Sequence, residues 1–237
     1  MWILIDKLKK LVKQNNKLIL DLCRSYKRVE TQIFTSSTTY SFANLNKDDV
    51  LEFIVIGGGR NYSSGRGGTG GGFILFRVWD ITKFTTANIV VGSSGGGDSF
   101  VYLNFKNDPT FSWISFKGTG GGTYIFTSIV SFNNSSPPNL LYLLQNYHYI
   151  EVVDYMLQGG QGGTSQSSGE TISKELHLLD GTITGFGVGG SGNYGGGASI
   201  FACGAPPLWG STFPGGGGNQ TTSGGSGCVI LNRYNFR

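Results

Sequence analysis

Clusters of three or more consecutive glycines are the feature that most limits what this chain can fold into. They are residues 57–59, 70–72, 95–97, 120–122, 195–197 and 215–218. The clusters are longer than single turns need, and glycine lets two backbones approach closely. We therefore expect them to pack side by side, with backbone groups hydrogen-bonding between segments. Ordering so much glycine costs a large chain entropy, which packing has to offset.

Composition excludes two common kinds of glycine-rich protein. The chain has 40 glycines but only 6 prolines in 237 residues, which excludes collagen, because a triple helix needs glycine at every third position and abundant proline. Aromatic residues make up 13% and charged residues only 14%. A disordered chain has fewer aromatic residues and more charge. The sequence therefore predicts a folded chain long enough to bury a sizeable core.

Short apolar runs alternate with the glycine clusters. Residues 50–56, 73–79, 87–92, 99–105 and 111–118 read as strands, as do 149–156 and 228–234. Residues 29–42 read as a strand or a hairpin, and Asp180-Gly181 is a hairpin turn signal. Strands at this spacing, punctuated by glycine, predict an antiparallel sandwich or barrel rather than alternating α/β units.

The first 30 residues show a different period. Apolar residues recur every seven positions over residues 2–29, with a single Asn15 inside the stripe, so this segment is predicted to be an amphipathic α-helix. A coiled coil with other copies, a trimer being favoured, is one partner for the stripe. A helix folded back on its own domain, a docking site on another protein and a membrane surface are the others. The residues assigned to anchoring or oligomerisation are Ile5, Leu8, Leu11, Val12, Asn15, Ile19 and Leu22.

The fold class predicted from the whole sequence is mainly β: an N-terminal α-helix followed by a glycine-rich antiparallel β-sandwich. Residues 149–160 echo residues 50–59, and the cluster at 195–197 lies 100 positions after the one at 95–97. Either a duplication into two related jelly-roll-like units or convergence of glycine-rich turns explains this echo. The predicted ranges are a helix over 1–30, a first β unit over 31–135 and a second over 136–237.

Motifs for catalysis, metals and cofactors are weak throughout. Residues 185–190 match the dinucleotide pattern G-x-G-x-x-G, but the residues that follow cannot open the helix that this pattern requires. Neither of the two histidines has the spacing of a metalloprotease or triad motif. Cys23, Cys203 and Cys228 lack metal-ligand spacing, and a Cys203–Cys228 bridge and two reduced thiols both stay open. We predict no enzyme activity, no cofactor and no metal.

Charge and hydropathy restrict the partners. The net charge of +4 comes from residues 1–30, which carry +5, whereas ten basic and eleven acidic residues leave 31–237 at −1. A nucleic-acid protein more often carries a basic stripe on its folded face, so we predict no nucleic-acid partner. No apolar run approaches the length of a membrane span, so no transmembrane segment is predicted. Tyr194, Trp209 and Arg66, which lie within glycine-rich loops, are the candidate surface contacts.

The order of these elements resembles the glycine-rich domain of viral tail-fibre and virion appendage proteins. The residues that carry the resemblance are 54–59, 67–72, 89–97 with Ser99, and 215–232, which include the closing strand CVILN. The stretch 133–158 has no counterpart in that pattern. The resemblance implies a virion structural or attachment part and supplies no catalytic residues.

These inferences lead to three hypotheses for function. The first is a virion structural protein, the helix-anchored head of a tail fibre, spike or capsid appendage. Its loops at 57–72, 92–99, 187–197 and 204–224 would contact a host receptor or glycan. The second is a minor capsid or cement protein that docks on a viral coat or tail protein. The third is a glycine-rich RNA-binding protein, whose affinity would fall steeply with salt.

Overall fold

The computed structural model describes residues 26–121, 130–133, 146–185, 187, 195–202, 204 and 213–236. The elements assigned in these ranges are β-strands and one 3-10 turn, Ile81–Lys83. The predicted mainly β, antiparallel architecture is confirmed. Among the same residues, no helix is both long and apolar enough to cross a membrane.

Five strands in the described part of the chain form the first sheet, which we call sheet I. In spatial order they are β1 (Tyr26–Phe34), β12 (Cys228–Phe236), β3 (Val50–Ile56), β4 (Phe73–Val78) and β9 (Ile150–Met156). All neighbouring pairs are antiparallel. Every residue of β3 and β4 is buried, because both faces of sheet I are covered. This explains why their sequences are continuous apolar runs rather than alternating ones.

A second antiparallel sheet, sheet II, packs against the first. In the described ranges its strands are β2 (Thr38–Ser41), β5 (Phe84–Val90), β6 (Ser99–Phe105), β7 (Trp113–Gly118) and β8 (Val130–Phe132). Buried residues alternate with more exposed ones along β5 and β6, as in a sheet with one face toward a core and one toward solvent. A separate pair, β10 (Leu176–His177) and β11 (Ile183–Thr184), encloses Gly181 at φ +80°. The predicted turn at Asp180-Gly181 is therefore confirmed.

Aromatic stacking joins the two sheets at the centre of the sandwich. The rings of Phe53 and Phe76, on β3 and β4 of sheet I, are stacked with centroids 5.0 Å apart. The ring of Phe76 also stacks on that of Phe116 in sheet II, at 3.8 Å. All three side chains are fully buried. Such pairs contribute about 0.5–1.5 kcal/mol beyond the burial of their area.

The outer face of sheet I is covered by the chain between β9 and β12. Ile172, Leu176 and Ile200 from this stretch form one apolar cluster with Ile54 and Leu75 of the sheet. The described molecule therefore has three layers: sheet II, sheet I and this cover.

The predicted N-terminal α-helix is wrong where the structure describes it. Residues 26–30, the end of the predicted helix, belong to β1, which pairs with β12 along its length. Tyr26 and Val29 fit a heptad by sequence, but burial along β1 alternates with a period of two. The edge of β12 supplies hydrogen-bond partners for the backbone of residues 26–30. This pairing determines their conformation, and the heptad pattern of the sequence does not. The seven predicted anchor residues, from Ile5 to Leu22, lie outside the described residues.

Strands from both predicted β units lie in one sheet. β3 and β4 come from the range 31–135, and β9 and β12 come from 136–237, yet all four belong to sheet I. The hydrogen-bonded edge between β4 and β9 joins the two ranges directly. The boundary between the two units stays a prediction.

The glycine clusters pack side by side at one end of the sandwich, as the sequence predicts. We call this assembly the glycine layer; it contains residues 57–59, 67–72, 95–97, 119–121, 159–163, 195–198, 215–218 and 224–227. The successive amides of residues 57–59 donate to carbonyl oxygens of three different segments, at 3.0, 2.8 and 2.7 Å. Residues 70–72 do the same.

This bonding pattern defines the conformation of the glycine segments. A β-strand points its amides in two opposite directions, whereas a polyproline II helix has three residues per turn and no internal hydrogen bonds. Donation in three directions by three successive residues therefore fits polyproline II geometry. This argument applies to residues 57–59 and 70–72, whereas Gly95, Gly96 and Gly215 of the same layer have positive φ. Main-chain hydrogen bonds hold all these segments together in a lattice.

The lattice leaves no room for a side chain at residues 57–59 and 70–72. A Cβ atom at Gly71 would lie 2.0 Å from the carbonyl oxygen of Gly57, which is far inside van der Waals contact. Residues 57–59 and 70–72 are all buried. Close approach of backbones, rather than an unusual φ, is what requires glycine at these positions.

Candidate binding surface at the glycine-rich end

The glycine segments that follow β3 and precede β4 and β12 of sheet I lie at the same end of the molecule. Ile56, the last residue of β3, pairs with both Phe73 and Cys228, the first residues of β4 and β12. The segments 57–72 and 213–227 therefore meet beyond this edge of the sheet. Main-chain bonds in the glycine layer then fix where each segment turns back.

Within the part of the chain that the structure describes, four turns of the glycine segments contain most of the exposed residues at this end. We call them the distal loops: residues 60–66, 93–96, 164–168 and 219–223. Most of their residues are exposed, whereas the glycines of 57–59 and 215–218 beside them are buried. In their described parts, the ranges expected to form a contact surface thus contain both a buried scaffold and exposed turns.

The first distal loop is a two-residue hairpin. The amide and carbonyl of Ser63 exchange two 3.1 Å hydrogen bonds with those of Arg66. Ser64 and Gly65 at the tip have φ of +51° and +79°. Positive φ at both central residues is the type I′ pattern, which matches the twist of a hairpin. Three residues before Ser63, the amide of Arg60 donates a hydrogen bond to the carbonyl oxygen of Thr69, on the returning arm of the hairpin.

Side-chain bonds hold the distal loops in fixed conformations. The Oδ1 atom of Asn219 accepts hydrogen bonds from the amides of Thr221 and Thr222 at 2.8 and 2.9 Å. The Oδ1 atom of Asn61 accepts from the amide of Gly224 at 2.9 Å, which ties the first loop to the segment of the glycine layer that follows the fourth loop. Side chains of the loops therefore bond both within a loop and to the glycine layer.

The charge of the distal loops is entirely positive. The four loops contain Arg60 and Arg66 and no aspartate or glutamate. Both arginines are exposed, and within the described part of the chain neither guanidinium takes part in an ion pair. They line a groove of about 250 Å³ between the first loop and residues 161–162.

Two cavities lie at the opposite end of the sandwich. Their volumes are about 320 and 360 Å³, and Thr82 and Lys106 line both. Burial, followed by the charges of Asp108 and Asp80, raises the pKa of Tyr149 in the first cavity to about 12. This phenol is neutral at physiological pH.

A buried polar cluster stabilises the outer face of sheet I. Glu52 is completely buried, and its two oxygens accept four hydrogen bonds. The donors are Nε of Arg77 at 2.9 Å, the amide of Leu179 at 3.0 Å, Nδ2 of Asn232 at 3.2 Å and the phenol of Tyr234 at 2.8 Å. Burial and the neighbouring Glu52 carboxylate raise the pKa of Tyr234 above its ordinary range. Every lone-pair direction is used within the fold, so this cluster has a structural role.

The structure places one of the three predicted surface contacts. Arg66 is exposed at the base of the first hairpin tip and lines the groove. Tyr194 and Trp209 lie outside the described residues. Cys228 is a free, buried thiol, and burial raises its pKa to about 12. Its predicted alternative partner, Cys203, is also outside the described residues.

Two features of the structure were not predicted from the sequence. Arg60 carries no signal of its own; it lines the groove because the first hairpin places it across from Arg66 and the glycine layer brings residues 161–162 beside both. The Glu52–Arg77 pair has a detectable signal, since each is the only charge in an otherwise apolar strand. The two residues are cross-strand partners in the register of β3 and β4.

Within the described ranges, no group of three or more His, Cys, Asp or Glu side chains is arranged to hold a metal ion. Neither the protein-family models nor the curated proteins give a match to this chain.

Proposed function

We propose that this chain is a non-catalytic structural protein of a virus particle, and that its glycine layer presents the distal loops for attachment. The observation that carries the proposal is the main-chain lattice below those loops. It fixes the ends of each loop through backbone bonds, such as the 2.8 Å bond between the amide of Gly67 and the carbonyl of Gly163. Exposed loops on a rigid scaffold are a common arrangement for binding.

Two further observations support this role. The distal loops are rich in hydroxyl and amide side chains, which form directional hydrogen bonds to a polar surface. The sequence also resembles the glycine-rich domain of viral tail-fibre and appendage proteins over residues 54–59, 67–72 and 215–232. The resemblance is the basis for assigning the chain to a virion.

An epitope inserted between Ser64 and Gly65 tests the proposal. A Cβ placed at Gly65 would meet no atom within 4 Å, so this tip tolerates an insertion. A matched insertion between Pro109 and Thr110, both exposed at the opposite end, is the control. We expect antibody to label the Ser64–Gly65 epitope on intact particles, and the free full-length chain to compete with particles for host cells.

Either of two results would contradict the attachment role: particles that lack the chain, or particles on which only the Pro109–Thr110 epitope is accessible. The second result would mean that the distal loops are buried in the particle.

A coat-stabilising role is the second candidate, and it is favoured by one edge of sheet I, which pairs with no further strand among the described residues. β1 lies at this edge, and Ile33 on β1 and Phe236 on β12 are each 59% exposed. Exposed apolar side chains beside an unpaired strand edge are stabilised when another chain covers them. In this case particles assembled without the chain would lose heat stability, whereas their adsorption to cells would be unchanged.

A further inference from the structure

We propose that the groove between the first distal loop and residues 161–162 binds a negatively charged saccharide, one that carries a carboxylate or sulfate group. The inference rests on the proposed attachment function and names the chemistry of the ligand. It follows from the charge, the lining and the size of this groove.

The positive charge of the groove favours binding of an anion. Arg60 and Arg66 stand on the two arms of one hairpin, and no described ion pair uses either guanidinium. No acidic side chain lines the groove; the carboxylate of Glu170, beside it, accepts a hydrogen bond from the amide of Gln161 and forms no described ion pair with either arginine. Arginine presents a planar set of donors that matches carboxylate and sulfate oxygens in pairs.

The remainder of the lining suits a sugar. Asn61, Ser63, Ser64 and Gln161 surround the two arginines, together with backbone of the glycine layer. Hydroxyl and amide groups both donate and accept hydrogen bonds, as the hydroxyls of a sugar ring require. The lattice holds the backbone in place before binding, so less conformational entropy is lost when a ligand binds.

The size and the overall charge favour a saccharide over RNA. A volume of about 250 Å³ is at the small end for ligand sites, so it accommodates one charged unit rather than a long polymer. Binding of a nucleic-acid backbone depends on many basic contacts that release counterions. The distal loops provide two arginines and no lysine, and residues 31–237 carry a net −1.

The test measures binding of the full-length chain by isothermal titration calorimetry. The probes are 3′-sialyllactose, a sulfated heparin tetrasaccharide, neutral lactose and a ten-nucleotide oligouridylate. The double variant Arg60→Gln/Arg66→Gln removes the proposed contacts. The control Lys47→Gln/Lys106→Gln removes the same charge from exposed residues at the opposite end.

We expect at least one charged saccharide to bind and lactose to bind at least tenfold more weakly. Losing a hydrogen bond to a charged group weakens binding by about tenfold or more, so the double arginine variant should reduce affinity at least tenfold. The lysine variant should retain the affinity of the natural chain.

Four results would overturn the inference: no binding of either charged saccharide, equal binding of lactose, unchanged affinity in the arginine variant, or tighter binding of the oligouridylate. If the Ser64–Gly65 epitope is nevertheless accessible on particles and the chain competes for cells, the attachment function stands and only the ligand class is wrong. If the epitope is buried in particles, the function itself fails.

Discussion

The phenol of Tyr234 donates a 2.8 Å hydrogen bond to the carboxylate of Glu52, and neither side chain has any exposed area. Glu52→Gln replaces an acceptor oxygen by a donor group and leaves Arg77 without its buried carboxylate. Removing one partner of a buried ion pair is strongly destabilising. We expect the free energy of unfolding to fall by about 3 kcal/mol, measured by urea titration.

Two control variants separate the contributions to this effect. Tyr234→Phe removes a single hydrogen bond and should cost about 1 kcal/mol. Glu175→Gln makes the same change at an exposed glutamate and should leave stability unchanged. A Glu52→Gln variant as stable as the natural chain would show that the carboxylate is not needed to hold Leu179 and Arg77 on sheet I.

The glycine layer should be intolerant of a single methyl group. Gly71→Ala would place a Cβ 2.0 Å from the carbonyl oxygen of Gly57, so the lattice must shift, at a cost of about 3 kcal/mol. Gly65→Asn is the control: its surroundings are open and asparagine tolerates positive φ, so little change is expected. Thermal unfolding of the two variants checks this, and equal midpoints would contradict the tight packing.

Stability should fall in alkali, between about pH 10 and pH 12. Tyrosine in the unfolded chain titrates near pH 10, whereas the pKa of Tyr149 is raised to about 12 by its burial and the nearby Asp108 and Asp80. Tyr234 is shifted in the same direction. In this window the unfolded chain binds fewer protons than the folded chain, so the free energy of unfolding decreases as pH rises.

Urea titrations at a series of pH values measure this dependence. Tyr149→Phe and Tyr234→Phe should each flatten the decline, because each removes one group that has to ionise on unfolding. Tyr155→Phe, at a residue 42% exposed, serves as the control and should leave the pH dependence of stability as it is. A decline equally steep in all three variants would contradict the assignment.

The Cys228 thiol should resist alkylation in the folded chain. Its side chain is buried, and its pKa of about 12 leaves almost no reactive thiolate at pH 8. We expect iodoacetamide to leave Cys228 unmodified under native conditions and to modify it in urea. Tandem mass spectrometry that resolves Cys228 from Cys203 reports the difference, and rapid native labelling would argue against the burial.

Several strands could be predicted because glycine marks their ends. The apolar run at 50–56 has the same bounds as β3, since a cluster begins at Gly57 and no strand residue continues past it. Pairing could not be predicted in the same way. Residues 29–42 read as a strand or a hairpin, yet β1 joins sheet I and β2 joins sheet II, because their partners β12 and β5 lie elsewhere in the sequence.

The glycine layer and the groove show the limits of the sequence pattern more clearly. Side-by-side packing of glycine follows from the absence of side chains, but the same absence removes any signal for which segment bonds to which. Arg66 could be predicted as a surface contact because it is a charged residue within a glycine-rich loop. Arg60 lies near it through the hairpin of residues 60–69, whereas Gln161 joins the two arginines through lattice bonds such as that from Gly67 to Gly163, which no local pattern encodes.

The main-chain bonding of the glycine layer means that different residues determine the fold of the scaffold and the chemistry of its exposed turns. Most of the lattice is encoded by glycines, and of the side chains in the turns above it Asn61 is the one described to hold it, through the bond from the amide of Gly224. Under the proposed function, a lineage can replace residues 62–66 or 164–168 and so alter its host range while the architecture of the head is inherited unchanged. Selection by the host then acts on a few exposed turns, and selection for folding acts on the glycines.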